Sequence, residues 1–176
     1  YSDSSIYDLG SATTTASGSP PIFLSDHYRS HPDIIEFSNQ ALYESSLLIR
    51  TDISALLKKF TENDLGIFWH EVLGNVPEDT GSPSNPNEVT AAMSLLGQWV
   101  RNGLLDDRSI TVGIVTPFRR QSDLIQRSIS HQPWSSQIYD QLTVGTAHQF
   151  QGDQCDLMIF SPVVAKGMRK GTRQWL

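Results

Sequence analysis

The sequence predicts an α/β fold built on a mostly parallel sheet. Apolar and β-branched runs at 22–24, 65–73, 110–115, 142–146 and 157–164 have strand length rather than helix length. Between several of them lie segments with apolar residues at helical spacing. A strand, a helix and a second strand in succession form a βαβ unit, whose crossover makes the two strands parallel. Such a sheet is expected to carry helices on both faces.

Each element has a local reason. Residues 1–21 are rich in Ser, Thr, Gly and Pro, and the run from Thr13 to Pro21 reads as a linker or flexible N-terminal segment. Ile22-Phe23-Leu24 is expected as a short buried strand opening a domain over 22–176. Pro32 suits a first helical turn, and Ile34, Ile35, Ser38 and Leu42 follow at helical spacing. In 65–73, Ile67, Phe68, Trp69 and Val72 are β-formers bounded by glycines, which predicts a strand. Residues 74–87 form a turn-rich loop. Asn85 then caps a helix with Pro86 at its first position, and Glu88 is placed to reach back to the cap amide. Val89, Ala92, Met93, Leu96, Trp99 and Val100 make its apolar stripe, and Gly103 ends it. The strand at 110–115 leads through a loop to a helix carrying Leu124, Ile125 and Ile129. Strands at 142–146 and 157–164 complete the sheet.

At 176 residues the chain is about one domain, and 38% hydrophobic with 18% charged residues describes a globular protein. A net charge of −6 argues against a freestanding nucleic-acid binder, which carries a basic face. Charge is uneven, however. Arg101, Arg108, Arg119, Arg120 and Arg127 gather in the middle, and Lys166, Arg169, Lys170 and Arg173 crowd the end. A solvated face is the ordinary reading of any one of them. No apolar run approaches the ~20 residues of a membrane span, so no membrane association is expected. Cys155 stands alone, which excludes an internal disulfide and a multi-cysteine zinc site; a reducing, cytoplasmic setting fits.

Three stretches carry chemistry, and none contains a nucleophile–base pair or a metal-ligand set. In His27-Tyr28-Arg29-Ser30-His31-Pro32, the tyrosine ring is a stacking platform for a base, worth ~1–3 kcal/mol. The adjacent guanidinium presents fixed donors that match phosphate oxygens. Val115-Thr116-Pro117-Phe118-Arg119-Arg120-Gln121 lies where a strand ends and a helix begins, and such junctions attract anions through the helix dipole. In Gly145-Thr146-Ala147-His148-Gln149-Phe150-Gln151-Gly152, the last glycine permits close backbone approach to a ligand. Plainer readings stand beside these. Tyr28-Arg29 could pack on its own helix, His31-Pro32 start that helix, Pro117-Phe118 make a turn with core packing, and Phe150 fill the core.

These three motifs, in this order, resemble the second RecA-like domain of superfamily 1 helicases, in the branch containing the nonsense-mediated-decay helicase and its bacterial relatives. The resemblance covers residues 22–176. It implies a RecA-like, P-loop NTPase-type three-layer sandwich, a second motor domain without its own phosphate loop. It further implies that Tyr28 stacks on adenine and that Arg29, the catalytic residue, reaches the γ-phosphate across a domain cleft. Gln151 and Gly152 would face the nucleotide phosphates. Thr116, Thr146 and His148 would meet the backbone of a single DNA or RNA strand, with Arg119, Arg120 and Gln121 near either ligand. The cofactor implied is ATP with Mg2+, held mainly by the first RecA-like domain of a parent chain, which is the implied protein partner.

This chain departs from the family at one position: many relatives have glutamate two residues after the motif glycine, bonded to the ribose, and here it is Gln154. Glutamine keeps the hydrogen bond but loses the charge. Neither a Gly-x-x-x-x-Gly-Lys-Ser/Thr loop nor a strand-ending Asp-Glu pair for magnesium occurs; in Gly167-Met168-Arg169-Lys170-Gly171-Thr172 the lysine precedes the second glycine. Ending at Leu176, the chain is expected to lack the motif carrying a second phosphate-sensing arginine, and so to be inactive alone. The alternative reading is a non-catalytic RecA-like module that binds nucleic acid or protein. A small-molecule α/β enzyme would need an acid–base constellation, and the sequence offers none.

Overall fold

Among the described residues of the computed structural model, every strand ladder is parallel. The structure describes residues 6–16, 18, 22–76, 82–152 and 154–168. The contacts divide the chain into two units, 1–69 and 70–176.

The first unit begins with helix α1 (Ile6–Ala16), where a linker is expected. Within it the Thr14 hydroxyl donates to the carbonyls of Gly10 and Ser11, at 3.0 and 3.1 Å, a local bond that suits threonine to helical backbone. Ile22-Phe23-Leu24 is neither strand nor buried: Ile22 and Leu24 lie 90% and 85% exposed. The strand comes two residues later, as β1 (Asp26–His27), which pairs with β2 (Leu48–Ile49). Helix α2 (Pro32–Leu42) starts at the predicted proline. Its N-cap is His31, whose Nδ1 accepts the Asp33 amide at 3.3 Å. The side chain buried from α2 is Asn39, whose amide bonds both backbone groups of Leu47 and so ties the helix to the run into β2. Leu42, expected in the apolar stripe, is exposed. Helix α3 (Ile53–Leu56) is capped by Asp52, and a 3-10 turn (Glu62–Asp64) follows.

The predicted strand at 65–73 does not form. Ile67, Phe68, Trp69 and Leu73 are exposed and Val72 is half-buried, and these β-forming side chains join no strand ladder. Among the described residues of the first unit, Phe60 is the one buried hydrophobic side chain.

The second unit holds the core. Helix α4 (Pro86–Arg101) buries Val89, Ala92, Met93 and Leu96, four of the six predicted stripe residues, and leaves Trp99 and Val100 half-buried. Asn85 caps it by accepting the Asn87 amide at 3.1 Å. Glu88 does not take the cap amide, which donates instead to Gln121 at 2.8 Å. Strand β3 (Val112–Thr116), helix α5 (Arg119–Ser130), strand β4 (Leu142–Thr146) and strand β5 (Leu157–Phe160) follow. The strand order is β4-β3-β5, and α5 packs on β3 and β4 while α4 lies against α5. Leu96, Val112, Ile114 and Ile125 are fully buried between these layers, each such side chain contributing about 1.5–3 kcal/mol. Residues 161–164, expected as strand, continue without a ladder.

Two clasps set the register. Asp156 Oδ2 accepts the amide and hydroxyl of Thr111 at 2.9 and 3.0 Å, and the Thr111 hydroxyl accepts the Asp156 amide in return. Gly113 leaves room for Met158 and Cys155, whose atoms would lie 2.7–3.0 Å from a Cβ there. Cys155 therefore packs beside the sheet, as a lone cysteine is expected to. Arg169, Lys170 and Arg173 lie outside the described residues, as do Gly171, Thr172 and Asp153. Among the described residues no helix is long and apolar enough to cross a membrane.

Candidate nucleotide and nucleic-acid site

The C-terminal edge of the three-stranded sheet is where open parallel sheets bind ligands. Thr116, last in β3, is the register partner of Thr146, last in β4. The two later motifs therefore leave the sheet side by side.

From β3, the chain turns through Pro117 and Phe118 into α5. Phe118 is buried with Val76, Val163 and Met168, so the core-packing reading of this turn holds. Thr116, expected to meet a nucleic-acid backbone, is 0% exposed, and its hydroxyl accepts the Phe118 amide at 3.4 Å. Arg119 is exposed at the first position of α5. Gln121, which the resemblance sets near either ligand, lies in the interior. Fully buried, it holds the Asn85 amide and carbonyl and the Ser161 hydroxyl, and is not near solvent where a ligand could reach it.

That glutamine belongs to a polar cluster the sequence reading missed. Ser161 Oγ donates to Glu88 Oε2 at 2.6 Å, the Val163 amide donates to the same oxygen, and Asn85 Nδ2 donates to Oε1. The starts of α4 and α5 and the chain leaving β5 are thus joined by side chains with every buried polar atom satisfied.

From β4, a 3-10 turn (Ala147–Phe150) follows at once. Gln149 Oε1 accepts the Thr146 amide at 2.8 Å, one half of a capping box whose other half is the Thr146 hydroxyl. Thr-x-x-Gln is the spacing that could have revealed it. His148, Gln151, Gly152 and Gln154 are exposed, Thr146 is half-buried, and Phe150 is half-buried instead of core. Gly152 has φ +92°, a left-handed conformation natural to glycine, with open space where a side chain would stand.

Tyr28 and Arg29 belong to the first unit, on the turn between β1 and α2. The Tyr28 ring is 66% exposed, and its hydroxyl donates to Asp26 Oδ2 at 3.4 Å. Arg29 is exposed beside it. The turn is pinned by His27, whose Nε2 accepts the Ser30 amide at 2.9 Å, and by Thr51, whose hydroxyl donates to the Ser30 carbonyl at 2.6 Å. His27 was given no role from sequence. Among the described residues no group of three or more His, Cys, Asp or Glu is arranged to hold a metal ion.

A family model described as AAA domain matches residues 6–173. The "Putative helicase mov-10-B.1" of Danio rerio is 28% identical over 153 residues, 80% of this chain and 15% of the relative. The "Regulator of nonsense transcripts 1 homolog" of Arabidopsis thaliana is 25% identical over 156 residues, 83% of this chain and 12% of the relative. The "ATP-dependent helicase upf1" of Schizosaccharomyces pombe is 24% identical over 154 residues, 83% and 16% respectively. The chain thus spans 12–16% of the length of these three relatives. With its parallel RecA-like α/β architecture and a match over nearly its whole length, this chain belongs to the AAA domain family, in the superfamily 1 helicase group of the nonsense-mediated-decay type.

Proposed function

We propose that residues 22–176 serve as the second motor domain of an ATP-dependent helicase, supplying nucleotide-sensing and strand-contacting side chains to a parent protein. The observation that carries this reading is the pairing of Thr116 with Thr146, which leads both later motifs off one edge of the sheet. An exposed aromatic ring next to an exposed guanidinium supports the nucleotide half of it.

Each unit, taken by itself, offers groups suited to a nucleotide. Tyr28 offers a ring surface for adenine, and its hydroxyl bond to Asp26 limits the ring's freedom. Gly152 leaves its backbone bare for phosphate oxygens, with Gln151 beside it and Gln154 able to bond a ribose hydroxyl. ATP with Mg2+ supplies the phosphoryl chemistry, and the first RecA-like domain of the parent would hold the metal. Arg29 then acts by placing positive charge against the transferring phosphoryl oxygens. Arg119, exposed at the first position of α5, and His148, exposed on the 3-10 turn after β4, would contact the strand, with Thr146 and the buried Thr116 beside them. Opening and closing of the cleft would move those contacts along DNA or RNA.

The decisive experiment is Arg29→Ala in the intact parent. Turnover is expected to fall by about 10³-fold or more while nucleotide affinity changes little, because the charge is used in the transition state. Unchanged turnover would leave the chain a binding module instead of a motor domain.

A further inference from the structure

The chain leaving β5 passes over the edge of the sheet where β3 ends. Phe160 is the register partner of Val115, and the Ser161 amide donates to the Val115 carbonyl at 2.9 Å. Two residues on, the backbone is strained. Val163 has φ +65°, in the left-handed region, which a β-branched side chain enters only at a steric cost. Its side chain is fully buried in a cluster with Val76, Phe118 and Met168. Its amide donates to Glu88 Oε2 at 3.1 Å, the same oxygen that takes the Ser161 hydroxyl. Further along, the Lys166 carbonyl accepts the Val76 amide at 2.8 Å. Gly167 lies so close that a Cβ there would stand 2.6 Å from the Val76 carbonyl oxygen.

Residues 161–167 belong to no named strand, yet the segment is fastened at both ends. The charged side chain it leaves in solvent is Lys166. Phe118, which shares the buried cluster with Val163, immediately precedes Arg119, exposed at the first position of α5. Two cations therefore leave one buried cluster at the C-terminal edge of the sheet. A backbone held in a costly conformation gives its side chains a fixed place, and a lysine so placed is a point charge suited to a phosphate oxygen.

We propose that Lys166 contacts a phosphate of the nucleic-acid strand, and that Glu88 is a positioning residue holding the segment that carries it. The inference deepens, and rests on, the reading of this edge as strand-contacting.

The test measures binding of a fluorescent single-stranded oligonucleotide to the full chain across a salt series. Lys166→Gln, at an exposed position, is expected to weaken binding about two- to fivefold at low salt. Its plot of log affinity against log salt should be shallower by about 0.7, the share of one single-strand phosphate. ADP affinity is expected to stay unchanged, and a drop there would overturn the strand assignment in favour of the nucleotide. Glu88→Gln puts an amide NH2 where an oxygen now accepts. It is expected to weaken strand binding in the native chain and to add nothing in a Lys166→Gln background. Equal losses in both backgrounds would reduce Glu88 to a folding role and overturn its positioning. Unaltered affinity and slope in Lys166→Gln would overturn the phosphate contact while leaving the strand reading intact. A native chain whose oligonucleotide binding is absent or indifferent to salt would overturn both.

Discussion

Gln149 folds its side chain back over Gly145, so that its Oε1 takes the Thr146 amide at 2.8 Å. A Cβ on Gly145 would stand 2.4 Å from that oxygen and 3.0 Å from the Gln149 Cβ. The glycine is required by a neighbour's side chain, not by its own backbone.

Gly145→Ala should therefore expel Gln149 and uncap the turn that presents His148. A cost of about 1–3 kcal/mol is expected in chemical denaturation. In a Gln149→Ala background the added cost should shrink, because the collisions with Oε1 and Cδ are gone and the 3.0 Å approach to the Cβ is what is left. Strictly additive losses would show that the collision is not the cause.

Replacing Gln121 with leucine leaves the Asn85 amide and carbonyl and the Ser161 hydroxyl short of a buried partner. The expected loss is about 2–4 kcal/mol by urea unfolding. A loss inside the ±0.5 kcal/mol typical of surface changes would contradict the structural importance of the cluster.

Acid should loosen two turns of the first unit locally. Asp52 accepts the Ser54 hydroxyl and amide at 2.6 and 3.0 Å, and these bonds hold its carboxyl below the ordinary carboxylate range. Asp64 is lowered in the same way by the Thr61 hydroxyl and amide. A carboxyl depressed by folding stabilises above its unfolded pKa, and that contribution disappears as pH falls through the folded one. Amide signals of Ser54 and Thr61 should shift together with these titrations below the usual carboxylate range. Asp52→Asn keeps an acceptor without a charge, and Ser54 should then stay put.

His148→Ala should lower affinity for a single-stranded oligonucleotide while the unfolding free energy stays within ~0.5 kcal/mol of native, since the side chain is exposed. Low salt is the condition of choice, because phosphate contacts weaken steeply as salt rises. Equal binding of DNA and RNA strands by variant and native chain would remove the histidine from the interface.

The sequence by itself determined the parallel α/β plan, the starts of α2 and α4 at Pro32 and Pro86, strand β4, and the order of the three motifs. Those features are set by periodicity and by capping groups within four residues, which a linear reading can see. Tertiary structure alone decided what is buried. Thr116 and Gln121 look like ligand-facing polar residues, yet Gln121 meets Asn85 across 36 residues and Ser161 across 40. The run at 65–73 has strand composition but finds no strand to pair with, so it stays exposed. A β-former needs a partner and a polar group needs a donor or acceptor, and both are supplied from distant parts of the chain.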